Sequence, residues 1–353
     1  MTTHDLAPGW RGAPATAPLA PPRAVSLPAP SLAEGELLAL TRPFAREDAR
    51  RSWGHLLAAA ALAAGCAAVA GWAHPPLLRA AASVLEGLVF LRLFSMFHDH
   101  VHGALLRRSR LARSFFHAFG LLVFTPLSVW EESHHFHHRH TAQLHGAQIG
   151  SFPVMTMAQW RAASPLAQLR YRAVRHPLNM LFGGITVFMI GMSLAPLLRH
   201  PRRHVGGLFA FALHAALALL LVPRAGVDTW LAVVVGPFLL SAVLGAYLFY
   251  AQHNYPGVRI LRGAAWTRPL AALESSSYMA MGPVMAWLTG NIGYHHVHHL
   301  NEAIPFYRLP EVMAAIPALQ RPGVTSLSPR DVAACLRLAV WDPEAQALVE
   351  RPR

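Results

Sequence analysis

The sequence predicts an all-α integral membrane protein: four transmembrane helices in two hairpins, with a cytoplasmic helical cap that carries a histidine-rich dimetal site. Three observations lead there. Of 353 residues, 54% are apolar and only 13% charged, about half the charged share of a soluble domain. Several apolar runs are long enough to span a bilayer. Finally, 22 histidines occur, many of them clustered. The two cysteines, Cys66 and Cys335, are isolated, which excludes a disulfide scaffold, a cysteine zinc site and a built-in iron–sulfur carrier. The formal charge of +13 comes from arginine alone, since the chain has no lysine. In so hydrophobic a chain that charge reads as membrane-surface anchoring rather than nucleic-acid binding.

Residues 1–40 are rich in Pro, Ala and Gly and show no continuous apolar core behind a basic start. They are expected to form a disordered tail rather than a signal peptide, ahead of one domain over 41–353. Arg42, Arg46, Arg50 and Arg51 precede the first apolar run, Trp53 to Ala73. About 20 such residues cross the hydrocarbon core. His74-Pro75-Pro76 turns the chain into a second run, Leu77 to Phe97, whose Arg79, Glu86 and Arg92 call for protein or interfacial surroundings. Leu111 to Val129 is shorter and suited to lying against the membrane. Three runs follow the central histidines: Leu178 to Leu198, Val205 to Val222, and Thr229 to Tyr250. If every histidine cluster lies on one side, an even number of crossings must separate Ala142 from Gln252. Leu178 to Leu198, interrupted by Gly183, Gly184, Gly191 and Pro196, is therefore assigned as interfacial or re-entrant. This puts Arg199, Arg202 and Arg203 on the same side as Arg42–Arg51 and Arg107–Arg113, and the positive-inside rule makes that side cytoplasmic, together with both termini.

The chemistry lies in three clusters: His98-Asp99-His100-Val101-His102, His134-His135-Phe136-His137-His138, and His295-His296-Val297-His298-His299. On a helix, residues three and four apart share a face. His98 and His102 therefore form an HxxxH pair. Each of the other clusters admits one HxxHH register: His134, His137 and His138, then His295, His298 and His299. Eight same-face histidines exceed the three or four protein ligands of a usual single-metal site and suit two adjacent metals. Imidazole binds iron, copper, zinc or nickel, so spacing does not name the metal; iron is favoured if the task is oxygen chemistry. Asp99, beside the first pair, can orient an imidazole N–H, and Asn291 and Gln252 are further candidates for that supporting role. His100, His135, His140 and His296 point off the shared face. Lone histidines such as His55, His117, His176 and His214 read as packing or capping residues.

These residues resemble the membrane fatty acid desaturase family, and within it the acyl-lipid Δ12 (omega-6) type. The resemblance runs over about residues 85–349. It rests on HDHVHGALL at 98–106, FTPLSVW at 124–130, LFYAQH at 248–253, ESSSY at 274–278, GNIGYHHVHHLNEAIPFYRLPE at 290–311 and LRLAVWDPEAQALV at 336–349. It implies a nonhaem diiron centre that uses O2 and two externally supplied electrons to leave a cis double bond in an acyl chain lying in a narrow apolar tunnel. It also implies a ninth histidine ligand, which maps to His253. Position agrees, because the run ending at Tyr250 returns the chain to the level of the boxes. The implied partners are an acyl-lipid or other fatty acyl substrate, the membrane, and a separate electron donor such as a ferredoxin with its reductase, since no His-Pro-Gly-Gly cytochrome b5 signature occurs. The chain departs from the family pattern at Trp130-Glu131, at Leu144–Gln148 and at Asn254-Tyr255-Pro256-Gly257. These positions bear on headgroup preference, donor docking and regiochemistry, not on the ligands. Two other readings compete: another diiron membrane oxygenase, such as a carotenoid ketolase or hydroxylase, and a histidine-rich metal-binding or transport protein. Transporters usually hold their ligands near the bilayer midplane, whereas these boxes lie at helix ends.

Overall fold

The computed structural model describes residues 34–72, 75–143, 152–261 and 266–352. The start of the tail, His74 and the Leu144–Gln148 departure lie outside the described residues. Helix α1 (Glu34–Thr41) falls within the stretch expected to be tail, and its Leu37 is buried in the main core.

Among the described residues, four helical spans are long and apolar enough to cross a membrane. The first hairpin is α2 (Ala49–Trp72) and α3 (Pro76–Val101). α2 buries Ser52, Leu56, Ala59, Ala63, Cys66 and Ala70, steps of three and four that make one stripe. The small residues in that stripe let the backbones approach closely. α3 is the central post, buried almost continuously from Val89 to Asp99, because neighbours cover it on several sides. Its Arg92 finds partners: it lies 4.0 Å over the Trp287 ring, donates to the Trp287 carbonyl and meets His55 Nδ1 at 3.2 Å.

α4 (Arg110–Leu122) is amphipathic and capped by Ser109, whose Oγ accepts from the Ala112 N–H at 3.1 Å. It meets α5 (Leu127–His140) at 90°. Thr125-Pro126 breaks the helix there, since proline disfavours helical geometry in the residue before it and supplies no N–H. Strand β1 (Met155–Thr156) and helices α6 (Met157–Ala162), α7 (Pro165–Arg175) and α8 (Pro177–Leu181) follow. An apolar helix then runs over Gly184–Arg199, π-wound to Leu194 and continuing as α9 (Ala195–Arg199). At about 1.5 Å per residue it reaches no more than about 24 Å, short of the roughly 30 Å hydrocarbon core. That length agrees with its assignment as a segment that does not cross.

The second hairpin joins α10 (Gly206–Ala225) to a span of α11 (Val227–Trp230), a π-turn and α12 (Gly236–Ala251). Its turn is Gly226, at φ 86°, a backbone conformation that side chains with a Cβ avoid. At the same end, Arg79 of α3 bonds Asp228 at 2.8 Å and Thr229 Oγ1 at 3.0 Å, tying one hairpin to the other opposite the histidines.

Short elements complete the cap: α13 (Arg268–Ser275), β2 (Tyr278–Ala280), α14 (Pro283–Leu288), α15 (His295–Leu300), α16 (Leu309–Ala315), β3 (Val324–Ser326), α17 (Pro329–Arg337), β4 (Leu338–Asp342) and β5 (Ala347–Glu350). β1 runs parallel to β4, with Met155 opposite Val340, and β4 pairs antiparallel with β5. β2 and β3 pair in parallel. The cap thus adds two small sheets to the helices read from the sequence.

Candidate metal centre

Four stretches of chain deliver nine imidazoles to one volume. His98 and His102 come from the C-terminal end of α3, and His134, His137 and His138 from α5. His253 follows α12 directly, and His295, His298 and His299 line α15. Eight come from helix ends or a short helix because i, i+3 and i+4 place rings side by side. They divide into two groups whose candidate ligand atoms lie within 4.8 Å of one another: His98, His102, His134, His138 and His298, and then His137, His253, His295 and His299. In the second group the Nε2 atoms close a ring: His137 to His253 at 3.1 Å, His253 to His295 at 2.9 Å, His295 to His299 at 3.0 Å, and His299 to His137 at 3.3 Å. In the first, His138 Nε2 lies 3.1 Å from both His134 Nε2 and His298 Nε2, while His98 Nε2 has no hydrogen-bond partner.

This arrangement fits metal. A planar square with sides near 3 Å puts its corners about 2.2 Å from the centre, close to the roughly 2.0–2.1 Å of a metal–imidazole bond. Burial and the neighbouring rings hold His102, His134, His137, His138, His295, His298 and His299 well below the ordinary imidazole range, and burial pushes His253 down to about 4. These rings are therefore neutral at physiological pH, the form that donates a lone pair to a metal.

Outer contacts set the ring orientations. His253 Nδ1 donates to the Ser275 carbonyl at 2.8 Å, so its Nε2 lone pair faces inward. His98 Nδ1 meets Asp99 Oδ1 at 3.2 Å, and Asp99 Oδ2 accepts from the Phe306 N–H at 2.6 Å. Asp99 thus has the contact expected of it. Asn291 and Gln252 hydrogen-bond backbone carbonyls rather than an imidazole. Asn291 donates to the Phe306 carbonyl at 3.2 Å and so supports His98 only through Phe306 and Asp99. Gln252 donates to the Ile292 carbonyl at 2.8 Å while its backbone carbonyl accepts from Ser277, stitching loops together beside the site.

Two partners went unremarked in the sequence. Trp130 stacks on His134 at 4.6 Å and 9°; an i, i+4 pair on one helix was the available signal. Ser275 acts through its backbone, which residue type does not reveal. The histidines off the shared face have structural partners: His100 Nδ1 to the Leu105 carbonyl, His140 Nδ1 to Phe136, His296 Nε2 to Leu319 and His214 Nε2 to Leu122. His135 is half-buried at the edge, its ring 5.6 Å from that of His102.

Fold and site together define a multi-pass membrane protein built around a polyhistidine cage able to hold metal. The fatty acid desaturase family model matches residues 75–329. A fatty acid desaturase of Bacillus subtilis (strain 168) is 34% identical over 239 residues, covering 66% of each chain. The sn-1 oleoyl-lipid 12-desaturase of Synechocystis sp. is 24% identical over 233 residues, covering 64% of each. The match thus spans just under two thirds of these relatives' length. The chain belongs to the fatty acid desaturase family.

His253 supplies the sharpest check on the cage. Replacing it with alanine opens one corner of the four-nitrogen ring, so bound metal should fall from about two ions per chain to about one or fewer. His214→Ala, which loses only a carbonyl contact and a ring stack, should leave metal per folded chain unchanged. Elemental analysis of both purified variants reads the difference; equal metal in His253→Ala and unsubstituted protein would remove His253 from the ligand set.

Proposed function

We propose that the chain is an O2-dependent fatty acyl desaturase that uses two iron ions held by His98, His102, His134, His137, His138, His253, His295, His298 and His299. The observation that carries this reading is an apolar cleft bordered by α3 and α12 and lined by Leu91, Phe94, Gly245, Leu248 and Ile292. It ends on His98 and His295, one imidazole from each group. An acyl chain is the ligand that such a cleft accepts: it brings methylenes, which need no polar partner, up to both halves of the cage.

When bound, the iron pair supplies the activation of O2. Overall, one CH2–CH2 unit loses two hydrogens, and O2 with two electrons and two protons leaves as two waters. The electrons come from a separate carrier, for which a ferredoxin with its reductase is the proposed source. The protein's own part is positional. The neutral imidazoles hold the metals, Asp99 and the Ser275 carbonyl fix two of them in orientation, and the apolar lining keeps water from the chain. A lipid-bound oleoyl chain desaturated at Δ12 is the proposed substrate and outcome, supported by the similarity to the sn-1 oleoyl-lipid 12-desaturase of Synechocystis.

Expression in a host that lacks diunsaturated fatty acids, followed by fatty-acid profiling, should yield a diunsaturated product from a monounsaturated chain. A Δ9 product from saturated chains would refute the regiochemistry, and an oxygenated product the reaction class. Gly245 gives an independent test of the cleft. A Cβ there meets only Leu91 and Phe188 at 3.9 Å, so Gly245→Leu fits the fold while its branches fill the cleft. Product should drop at least about tenfold with metal content unchanged; normal turnover would place the acyl chain elsewhere.

The histidine end of the bundle is proposed to be cytoplasmic, with both termini, because Arg42–Arg51, Arg107–Arg113 and Arg199–Arg203 accumulate there. Single cysteines beside Arg107 and Arg202 should resist an impermeant thiol reagent in intact cells, while those beside Pro75 and Ala225 react. Labelling at 202 from outside would make Gly184–Arg199 a crossing.

A further inference from the structure

A second cleft, of about 600 Å³, borders His137 and His253 from the other side of Phe249. Its lining is also largely apolar, but unlike the acyl cleft it carries guanidinium groups. Arg175 and Arg259 line it, and no carboxylate does. Arg259 lies 3.9 Å from Glu274, but Arg175 has no acidic partner among the described residues. Arg175, at the end of α7, is only 5% exposed. Its Nη1 donates to the Pro153 carbonyl at 2.8 Å. Its Nη2 reaches Asn254 Oδ1 at 2.5 Å, the Leu338 carbonyl at 2.9 Å and the Tyr250 hydroxyl at 3.1 Å. Every one of these acceptors is neutral, and Nε has none at all.

Neutral acceptors satisfy N–H groups but do not cancel a charge, and a buried guanidinium without an anion is among the costliest arrangements in a fold. A latch holding the C-terminal strand to α12 explains the carbonyl contacts, but leaves the guanidinium charge without a counter-ion. The residue that faces the guanidinium is Asn254, directly after His253, an amide where a carboxylate would have neutralised it. Depth supplies the second argument. Tyr250 is the penultimate residue of the fourth crossing, so Arg175 lies where hydrocarbon gives way to headgroups.

We propose that this cleft is an anion site, in which Arg175 receives the carboxylate or phosphate at the polar end of the acyl substrate. The proposal rests on the acyl reading above and adds to it the charge of the substrate's head and the end from which the chain is held. The acyl cleft takes the apolar tail, and the two clefts meet the cage from either side of Phe249.

The test is equilibrium binding to the metal-loaded protein in uncharged detergent, with three oleoyl probes: oleate, oleoyl lysophosphatidate and the uncharged monooleoylglycerol. The unsubstituted protein should bind one or both anionic probes at least about tenfold more tightly than monooleoylglycerol, with the favoured head distinguishing a free acid from a phospholipid source. Arg175→Gln should bring that ratio close to one without weakening monooleoylglycerol. Asn254→Asp, which supplies the missing carboxylate internally, should do the same and serves if Arg175→Gln does not fold. Equal binding of charged and uncharged probes by the unsubstituted protein, or a preference that survives both substitutions, would overturn the anion site and leave the acyl reading standing. Binding of none of the three lipids would overturn the acyl reading and the anion site with it. If inorganic phosphate bound at Arg175 while oleoyl lysophosphatidate stayed equally tight, the site would belong to a free anion and not to the substrate's head.

Discussion

Nine imidazoles from four separated stretches must meet in one buried volume with their ring nitrogens facing inward, and the rest of the molecule serves that convergence. Inward-facing nitrogens about 3 Å apart are a poor match for one another as hydrogen-bond partners and a good match for cations of metal size. The helices supply the rigidity. α3 carries two of the rings at the buried C-terminal end of a 26-residue helix, and α5 and α15 each present three on one face. The Arg79–Asp228 pair and the Gly226 turn fix the far end, so the near ends of the two hairpins are held together where His98, His102 and His253 emerge.

Around this cage, polarity is distributed unevenly. On one side the walls are apolar and bordered by spanning helices, which suits a hydrocarbon chain. On the other, a buried arginine is surrounded by neutral oxygens. A substrate with an apolar tail and an anionic head has this same asymmetry, and the cage lies between its two ends. The outer contacts of the imidazoles follow a related logic: a carboxylate at His98 and a backbone carbonyl at His253 both accept an Nδ1 proton and leave Nε2 free to face inward.

Much of this was legible in the sequence because it is local. The HxxxH and HxxHH registers follow from helical periodicity alone, and the four long apolar helices follow from run length; Leu178–Leu198 is separated from them by parity and by its glycines and proline, not by length. His253 was reached by position and family resemblance rather than by spacing. What remained hidden depends on distant partners. Asn291 and Gln252 adjoin ligand segments but bond backbone carbonyls, and nothing in their residue type separates that role from an imidazole contact. The β1–β4 pairing joins residues 155 and 340, too far apart for any local pattern to report. Arg175 is one of 30 arginines in the sequence; only the folded arrangement of Asn254, Tyr250 and Leu338 around it shows that its charge is buried without a carboxylate. The 90° corner between α4 and α5 is written in Thr125-Pro126, but its angle is set by packing.

The nine histidines are proposed to form one cage for two irons. Metal-edge X-ray absorption on protein purified from iron-replete cells, with total metal counted on the same sample, is the direct test. The expected result is about two irons per chain in a nitrogen-rich shell of imidazole character without sulfur. Stoichiometric zinc with no iron, or a single metal per chain with four or fewer imidazoles, would contradict it.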